Sequence, residues 1–153
     1  MNQINIQHVM KTVHKKQNWK GSFTYQEGYE VNEQYTEVKF KMEIILTGNS
    51  FTGTSTDTES QNVFNKPTKI HGFVDDEKIS FVMKYPCTYF KDDKGEIILD
   101  PSTEHPDIHY LGFFEDDKTY ARGNWEMTIH EEKYGDGYLD EIVNGEFEMR
   151  IYS

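Results

Sequence analysis

The sequence of 153 residues contains a single cysteine, Cys87. No intramolecular disulfide can form, so an ordinary apolar core must hold the fold. A lone thiol fits a reducing compartment, and a cytoplasmic location is the expectation. Apolar runs long enough for a signal peptide or a membrane span are also missing. The first stretch, MNQINIQHVMKTVHKKQNWK, is polar and basic instead. No membrane partner is expected. Basic residues are few: 16 Lys and Arg stand against 27 Asp and Glu, a net charge of −11. Such a surface repels a phosphate backbone, and the only basic cluster, Lys11 to Lys20, is short. No nucleic-acid partner is expected. There is no Gly-x-Ser-x-Gly, no phosphate-binding glycine loop and no Cys/His pair in a recognisable setting. Nothing therefore marks an enzyme, and no cofactor is expected. No low-complexity tract, long linker or repeat divides the chain, whose length suits one domain.

What the sequence does have is alternation. In Glu37-Val38-Lys39-Phe40-Lys41-Met42-Glu43-Ile44, charged and apolar residues exchange at every step. That period of 2 gives a strand with one core face and one solvent face. Read along the chain, it predicts eight strands: 19–29, 35–47, 50–57, 67–75, 78–90, 108–115, 118–130 and 145–152. A short helix is expected over 4–14, within an N-terminal segment 1–18 that packs on a single domain 19–153. Three connections are tight, at Gly48-Asn49, Asp76-Glu77 and Asp116-Asp117. Gly-Asn suits a two-residue hairpin with Gly first. These centres put Ile44 opposite Gly53, Gly72 opposite Phe81, and Gly112 opposite Ala121. Directly opposed residues share a face, so each register groups small and apolar side chains. The remaining loops, 30–34, 58–66, 91–107 and 131–144, gather at the other end. The fold expected is therefore all-β, an eight-stranded up-and-down antiparallel barrel with a closed base and a mouth. Gly21, Gly53, Gly72, Gly112 and Gly123 fall on its inner face, where sharp bending is needed.

Short motifs add a resemblance. Trp19 precedes Gly21, and Phe51-Thr52-Gly53 is followed by Ile70-His71-Gly72 and Ile79-Ser80-Phe81. Tyr110-Leu111-Gly112-Phe113, Arg122-Gly123-Asn124-Trp125 and Gly145-Glu146-Phe147-Glu148-Met149-Arg150 complete the series. Together they resemble the calycin superfamily of lipocalins, fatty-acid-binding proteins and avidins. Within it they are similar to a bacterial lipocalin-like group that ends in Gly-x-Phe-x-Met-x-Arg. The resemblance implies a structural pair, a first-strand tryptophan (Trp19) against a last-strand arginine (Arg150) at the closed base. Simple alternation, however, turns Arg150 outward.

The inward residues form a candidate pocket: Tyr25, Tyr29, Phe40, Met42, Asp57, Phe81, Met83, Tyr85, Tyr110, Trp125 and Met127. Aromatics and methionines can line an adaptable apolar cavity, and tyrosine tips near the mouth can anchor a polar head. A small apolar or amphipathic ligand is the first functional reading. The second is a filled barrel that acts through its outer wall as a homodimer. Phe73, Val82, Leu111, Phe113 and Tyr120 are its interface candidates. The third is a barrel enzyme using inward Tyr and Asp as acid and base.

No metal site is expected. Pro106 breaks the alignment of Glu104, His105, Asp107 and His109. Asp136-Gly137-Tyr138-Leu139-Asp140 looks like part of a calcium loop, but Tyr134 and Val143 replace ligands. For haem, His71 and His109 point outward. Cys87, placed on an apolar strand, reads as a buried inert thiol.

Overall fold

A computed structural model describes residues 14–25, 37–64, 66–115, 117–134 and 137–153, with the side chains of 90, 91, 129–134 and 137–141 outside that description. Among the described residues there are ten strands. They are β1 (His14–Tyr25), β2 (Glu37–Thr47), β3 (Ser50–Asp57), β4 (Thr68–Val74) and β5 (Lys78–Lys84). Then come β6 (Thr88–Lys91), β7 (Ile97–Asp100), β8 (Ile108–Glu115), β9 (Tyr120–Tyr134) and β10 (Gly137–Ile151). Eight of them close an antiparallel barrel in the order β1-β10-β9-β8-β5-β4-β3-β2, while β6 and β7 form a separate two-stranded ribbon. Strand β2 alternates exposed and buried from Glu37 to Ile44, as its sequence requires.

Two of the three expected hairpin registers are found: Ile44 lies opposite Gly53, and Gly72 opposite Phe81. Gly48 has φ 64°, the left-handed value that a glycine-first hairpin turn needs. The third register is corrected. Gly112 pairs with Gly123, and Phe114 with Ala121. The turn's left-handed residues are Asp117 and Lys118, at φ 56° and 65°. Its centre is therefore one residue later than expected. Moving a centre by one residue moves every partner by two, so the faces stay right while the neighbours change. Lys118 then ties this turn to the β4–β5 turn through Asp76, at 2.7 Å.

Three other boundaries differ. The strand expected over 78–90 leaves the barrel at Lys84, because Pro86 has no N–H for the ladder. The segment read as the 131–144 loop is largely ladder, with β9 and β10 paired from Gly137–Tyr134 downward. Residues 14–18, assigned to the N-terminal segment, belong to β1 and pair with β2. The helix expected over 4–14 lies outside the described residues, apart from His14, which opens a strand.

One glycine shows how the barrel closes. A Cβ on Gly145 would sit 1.7 Å from the Thr24 carbonyl oxygen and 2.5 Å from Trp125 Nε1. Gly145 pairs with Tyr25 on one side and Trp125 on the other. The indole N–H of Trp125 reaches across the bare glycine and donates to the Thr24 carbonyl at 3.0 Å. A side chain–backbone bond thus bridges β9 to β1 over the strand between them.

Candidate functional site

The inner wall is packed with side chains. Phe40, Met42, Phe81, Met83, Tyr110 and Trp125 are each 1–3% exposed. A cavity of ligand size against these six would leave them open to a water-sized sphere, and they are not. Phe81 and Tyr110 stack at 4.6 Å, and Phe147 stands edge-on to both. Each such ring pair contributes about 0.5–1.5 kcal/mol beyond its burial. Of the other pocket candidates, Tyr85 and Asp57 are buried, Tyr25 and Met127 are half-buried at the mouth side of the core, and Tyr29 lies outside the described residues. Among the described residues, Ser55 Oγ is buried opposite Thr68 without a hydrogen-bond partner.

The mouth carries a polar cluster that the sequence places only in part. Asp57 ends β3. Its Oδ1 accepts from the Glu59 N–H (3.0 Å), the Ser60 N–H (2.7 Å) and the Ser60 hydroxyl (2.9 Å). Its Oδ2 accepts from the Tyr85 hydroxyl at 2.5 Å. This folds residues 58–64 into a turn and brings Phe64 onto the Tyr85 ring at 5.8 Å. Tyr89, from the β6–β7 ribbon, packs edge-on to Tyr85 and donates to Glu59 at 3.4 Å. His105 closes the group, 4.9 Å from the Tyr85 ring and stacked on Tyr89. Phe64, Tyr89 and His105 were not candidates from sequence. Phe64 and His105 sit in loops, where alternation gives no facing, and Tyr89 lies on β6, past the point where the alternation of β5 ends.

Tyr85, Tyr89 and Tyr110 all have hydroxyls pushed well up by burial, with the negative charge of Asp57 or Glu59 adding to it. Burial pushes His105 down, so its imidazole stays neutral at pH 7. The phenols set an alkaline limit. An unfolded tyrosine ionises near pH 10, whereas these three keep their protons while folded. Their contribution is complete below pH 10 and falls above it. Each phenol then lowers stability by up to about 1.4 kcal/mol per pH unit. We expect denaturant titrations to show stability falling steeply above pH 10, and absorbance at 295 nm to show three tyrosines ionising only on unfolding. Normal ionisation of every tyrosine in the folded protein would contradict this.

The outer wall carries the other candidates. Phe73, Leu111 and Phe113 are 64%, 43% and 54% exposed, and Val82 is half-buried next along β5, between His71 and His109. Phe73 pairs with Ser80, and Ser80 with Leu111. The small serine is therefore a trough between two apolar ridges. A groove of about 840 Å3 runs along it, lined also by His71, His109 and Glu126. Tyr120 does not join this surface. Its hydroxyl donates to Glu148 and its ring lies under the Arg150 guanidinium, 5.0 Å from the centroid.

The pair implied by the resemblance is not formed as such. Trp19 is buried, with its indole N–H donating to Gln17 at 3.2 Å, whereas Arg150 is exposed on the outer face. Glu104 and Asp107 pair with Lys84 at 3.4 Å and 3.8 Å, and His109 points outward. Asp136 and the side chain of Asp140 lie outside the described residues. Among the described residues, no group of three His, Cys, Asp or Glu is placed to hold a metal ion. Among them, too, no helix is long and apolar enough to cross a membrane. Cys87 is free and buried, in the bend after Pro86 rather than on a barrel strand. No family model, no curated protein and no solved structure matches the chain.

Proposed function

We propose that this protein is a non-catalytic interaction barrel whose interior serves as core and whose β4–β5–β8 wall pairs with a second copy of the same chain. The observation that carries the reading is the trough at Ser80 between Phe73 and Leu111. One surface supplies both ridge and groove, which is what an isologous contact requires. At roughly 150–250 Å2 of side-chain surface per aromatic, Phe73 and Phe113 alone leave some 180–300 Å2 exposed. Leu111 and Val82 bring the patch to the size that marks functional apolar surface.

Charge favours the same wall. The acidic excess is concentrated at the two ends of the barrel, in Asp75-Asp76-Glu77 at the base and Asp92, Asp93, Glu96, Asp100 and Glu104 at the mouth. Side-by-side pairing keeps those ends apart. The wall itself carries Lys69, Lys78 and Lys84 against Glu115, with Arg122 and Glu126 beside it on β9.

The alternatives are less well supported. A hollow ligand-binding cup is disfavoured by six of its candidate lining residues, Phe40, Met42, Phe81, Met83, Tyr110 and Trp125, being only 1–3% exposed. Acid–base catalysis needs a carboxylate with spare capacity, and Asp57 already accepts four hydrogen bonds. Kinship with the calycins and a cytoplasmic location belong to the proposal. The first rests on the motifs from Trp19 to Arg150, and the second on the lone buried thiol.

Sedimentation velocity tests the interface. The wild type is expected to run as a dimer at tens of micromolar, and the Phe73→Lys, Leu111→Lys double variant as a folded monomer. A wild type that stays monomeric at those concentrations would refute the proposal.

A further inference from the structure

The opposite side of the barrel carries a different anomaly. Strand β1 lies diametrically across from β5 in the closed order. On its outer face Lys20 pairs with Lys41 of β2 and with Arg150 of β10. Three cations therefore stand in one row across three adjacent strands, all exposed. Like charges directly opposite one another across strands are destabilising. The acidic composition makes the row harder to explain, because carboxylates are plentiful and elsewhere are used. Lys16, Lys84, Lys118 and Arg122 each have one within 3.4 Å. Among the described residues, Lys20, Lys41 and Arg150 have no carboxylate within salt-bridge distance. The acids two residues along the same face, Glu148 beside Arg150 and Glu43 beside Lys41, bond instead to the Tyr120 hydroxyl and to Lys16.

Two of the three cations also rest against aromatic rings. The Arg150 guanidinium lies on the Tyr120 ring, and Lys20 Nζ lies 5.7 Å from the centre of the Tyr152 ring. A guanidinium held over a ring face keeps its edge N–H donors for other partners, and those donors take an oxyanion bidentately. Neighbouring strands sit ~4.8 Å apart, so the row spans ~10 Å. A groove of about 650 Å3 lies over it, where Lys20, Lys39, Lys41 and Arg150 stand against Glu37, Glu148 and the buried Asp57.

We propose that the Lys41–Lys20–Arg150 row is a binding site for a multivalent oxyanion, phosphate or carboxylate, on the face of the barrel opposite the apolar wall. The site does not depend on self-association. The anion supplies the negative charge that the row lacks. Without it the row is a standing repulsion, so each lysine is worth more to binding than to the fold.

The test uses the full-length protein at low ionic strength (about 0.01 M, where the Debye length is ~30 Å). Calorimetric titration with sodium tripolyphosphate and, separately, with citrate is compared with chloride at matched ionic strength. Binding of either anion supports the site, and the tighter of the two identifies its chemistry. Lys20→Gln is expected to weaken binding by about tenfold, the effect of losing one charge-assisted contact. Lys78→Gln, on the far wall, should leave binding unchanged. Melting in the absence of the anion gives an independent readout. Lys20→Gln should melt at or above the wild type at low salt, because it relieves the repulsion. The proposal is overturned by no binding beyond chloride, by equal binding in Lys20→Gln, or by a lower melting temperature for that variant.

Discussion

Replacing Gly145 with alanine is expected to be the most damaging single-methyl change in the barrel. The added carbon would lie 1.7 Å from the Thr24 carbonyl oxygen and within 2.5–2.8 Å of the Trp125 indole. No side-chain rotation relieves a clash with backbone, so β1 and β10 must move apart. The Trp125–Thr24 hydrogen bond of 3.0 Å passes through the same space and must break as they move. The indole N–H and the carbonyl oxygen then both lose a partner, at about 1–3 kcal/mol for each group left unsatisfied. With the steric term added, we expect a loss of about 4 kcal/mol or more, a size confined to a few named mechanisms. In a chain of this length that lowers the melting temperature by roughly 8–16 °C. Gly112→Ala is the control. Its added carbon would first meet Phe147 Cζ at 2.8 Å, the far end of a side chain that can turn. Chemical denaturation followed by tryptophan fluorescence checks both variants. A Gly145→Ala protein within 1 kcal/mol of wild type, with unchanged emission, would mean that the seam is looser than described.

The contrast between these two glycines shows how far a sequence can be read. Both fall at inward positions of an alternating strand, and period 2 fixes that much. Which neighbour each one faces depends on register, and register depends on turns. Gly48 advertised its turn by being the residue that tolerates a positive φ. Asp117 and Lys118 adopt the same region without being glycine or asparagine, so their turn was read one residue early and the β8–β9 partners shifted by two. Pro86 was passed over inside the strand expected over 78–90, although its missing N–H is what ends β5 at Lys84. Residues 131–144 are polar, and a backbone ladder among polar residues leaves no apolar stripe to find.

The candidate surfaces follow the same logic. Phe73, Leu111 and Phe113 were legible because alternation alone turns them outward. The Lys41–Lys20–Arg150 row was not, because its members are brought together from three strands only when the barrel closes. Whether the interior is filled was equally hidden. The inward residues suit either case, and the outcome depends on strand stagger and on the loops that cover the mouth.

Asp57 is where the mouth loop and the core are joined, and its removal is expected to have the second large effect. It is 3% exposed and accepts four hydrogen bonds, three at Oδ1 and one at Oδ2. Hydrogen bonds to a charged acceptor contribute about 1.5–3 kcal/mol each, although they do not add when they share one group. Asp57→Ala strands the Tyr85 hydroxyl and the Ser60 N–H, and it releases the turn that carries Phe64. We expect a loss of about 3–5 kcal/mol, in the range seen when one partner of a buried charged pair is removed. Asp57→Asn separates the two roles of the side chain. An asparagine oxygen at Oδ1 still accepts from Glu59 and Ser60, so the turn survives. Its NH2 group faces the Tyr85 hydroxyl, which can rotate from donating to accepting. The expected loss is about 1 kcal/mol, the difference between charged and neutral hydrogen bonds. Tyr85→Phe should fall between the two, because it leaves Oδ2 buried without its donor. The Asp57→Ala, Tyr85→Phe double variant should then lose less than the sum of its parts, with a coupling of about 0.5–3 kcal/mol. Strict additivity would show that the 2.5 Å contact contributes nothing to stability. Equal losses for Asn and Ala would show that charge, rather than the turn, is what this carboxylate provides.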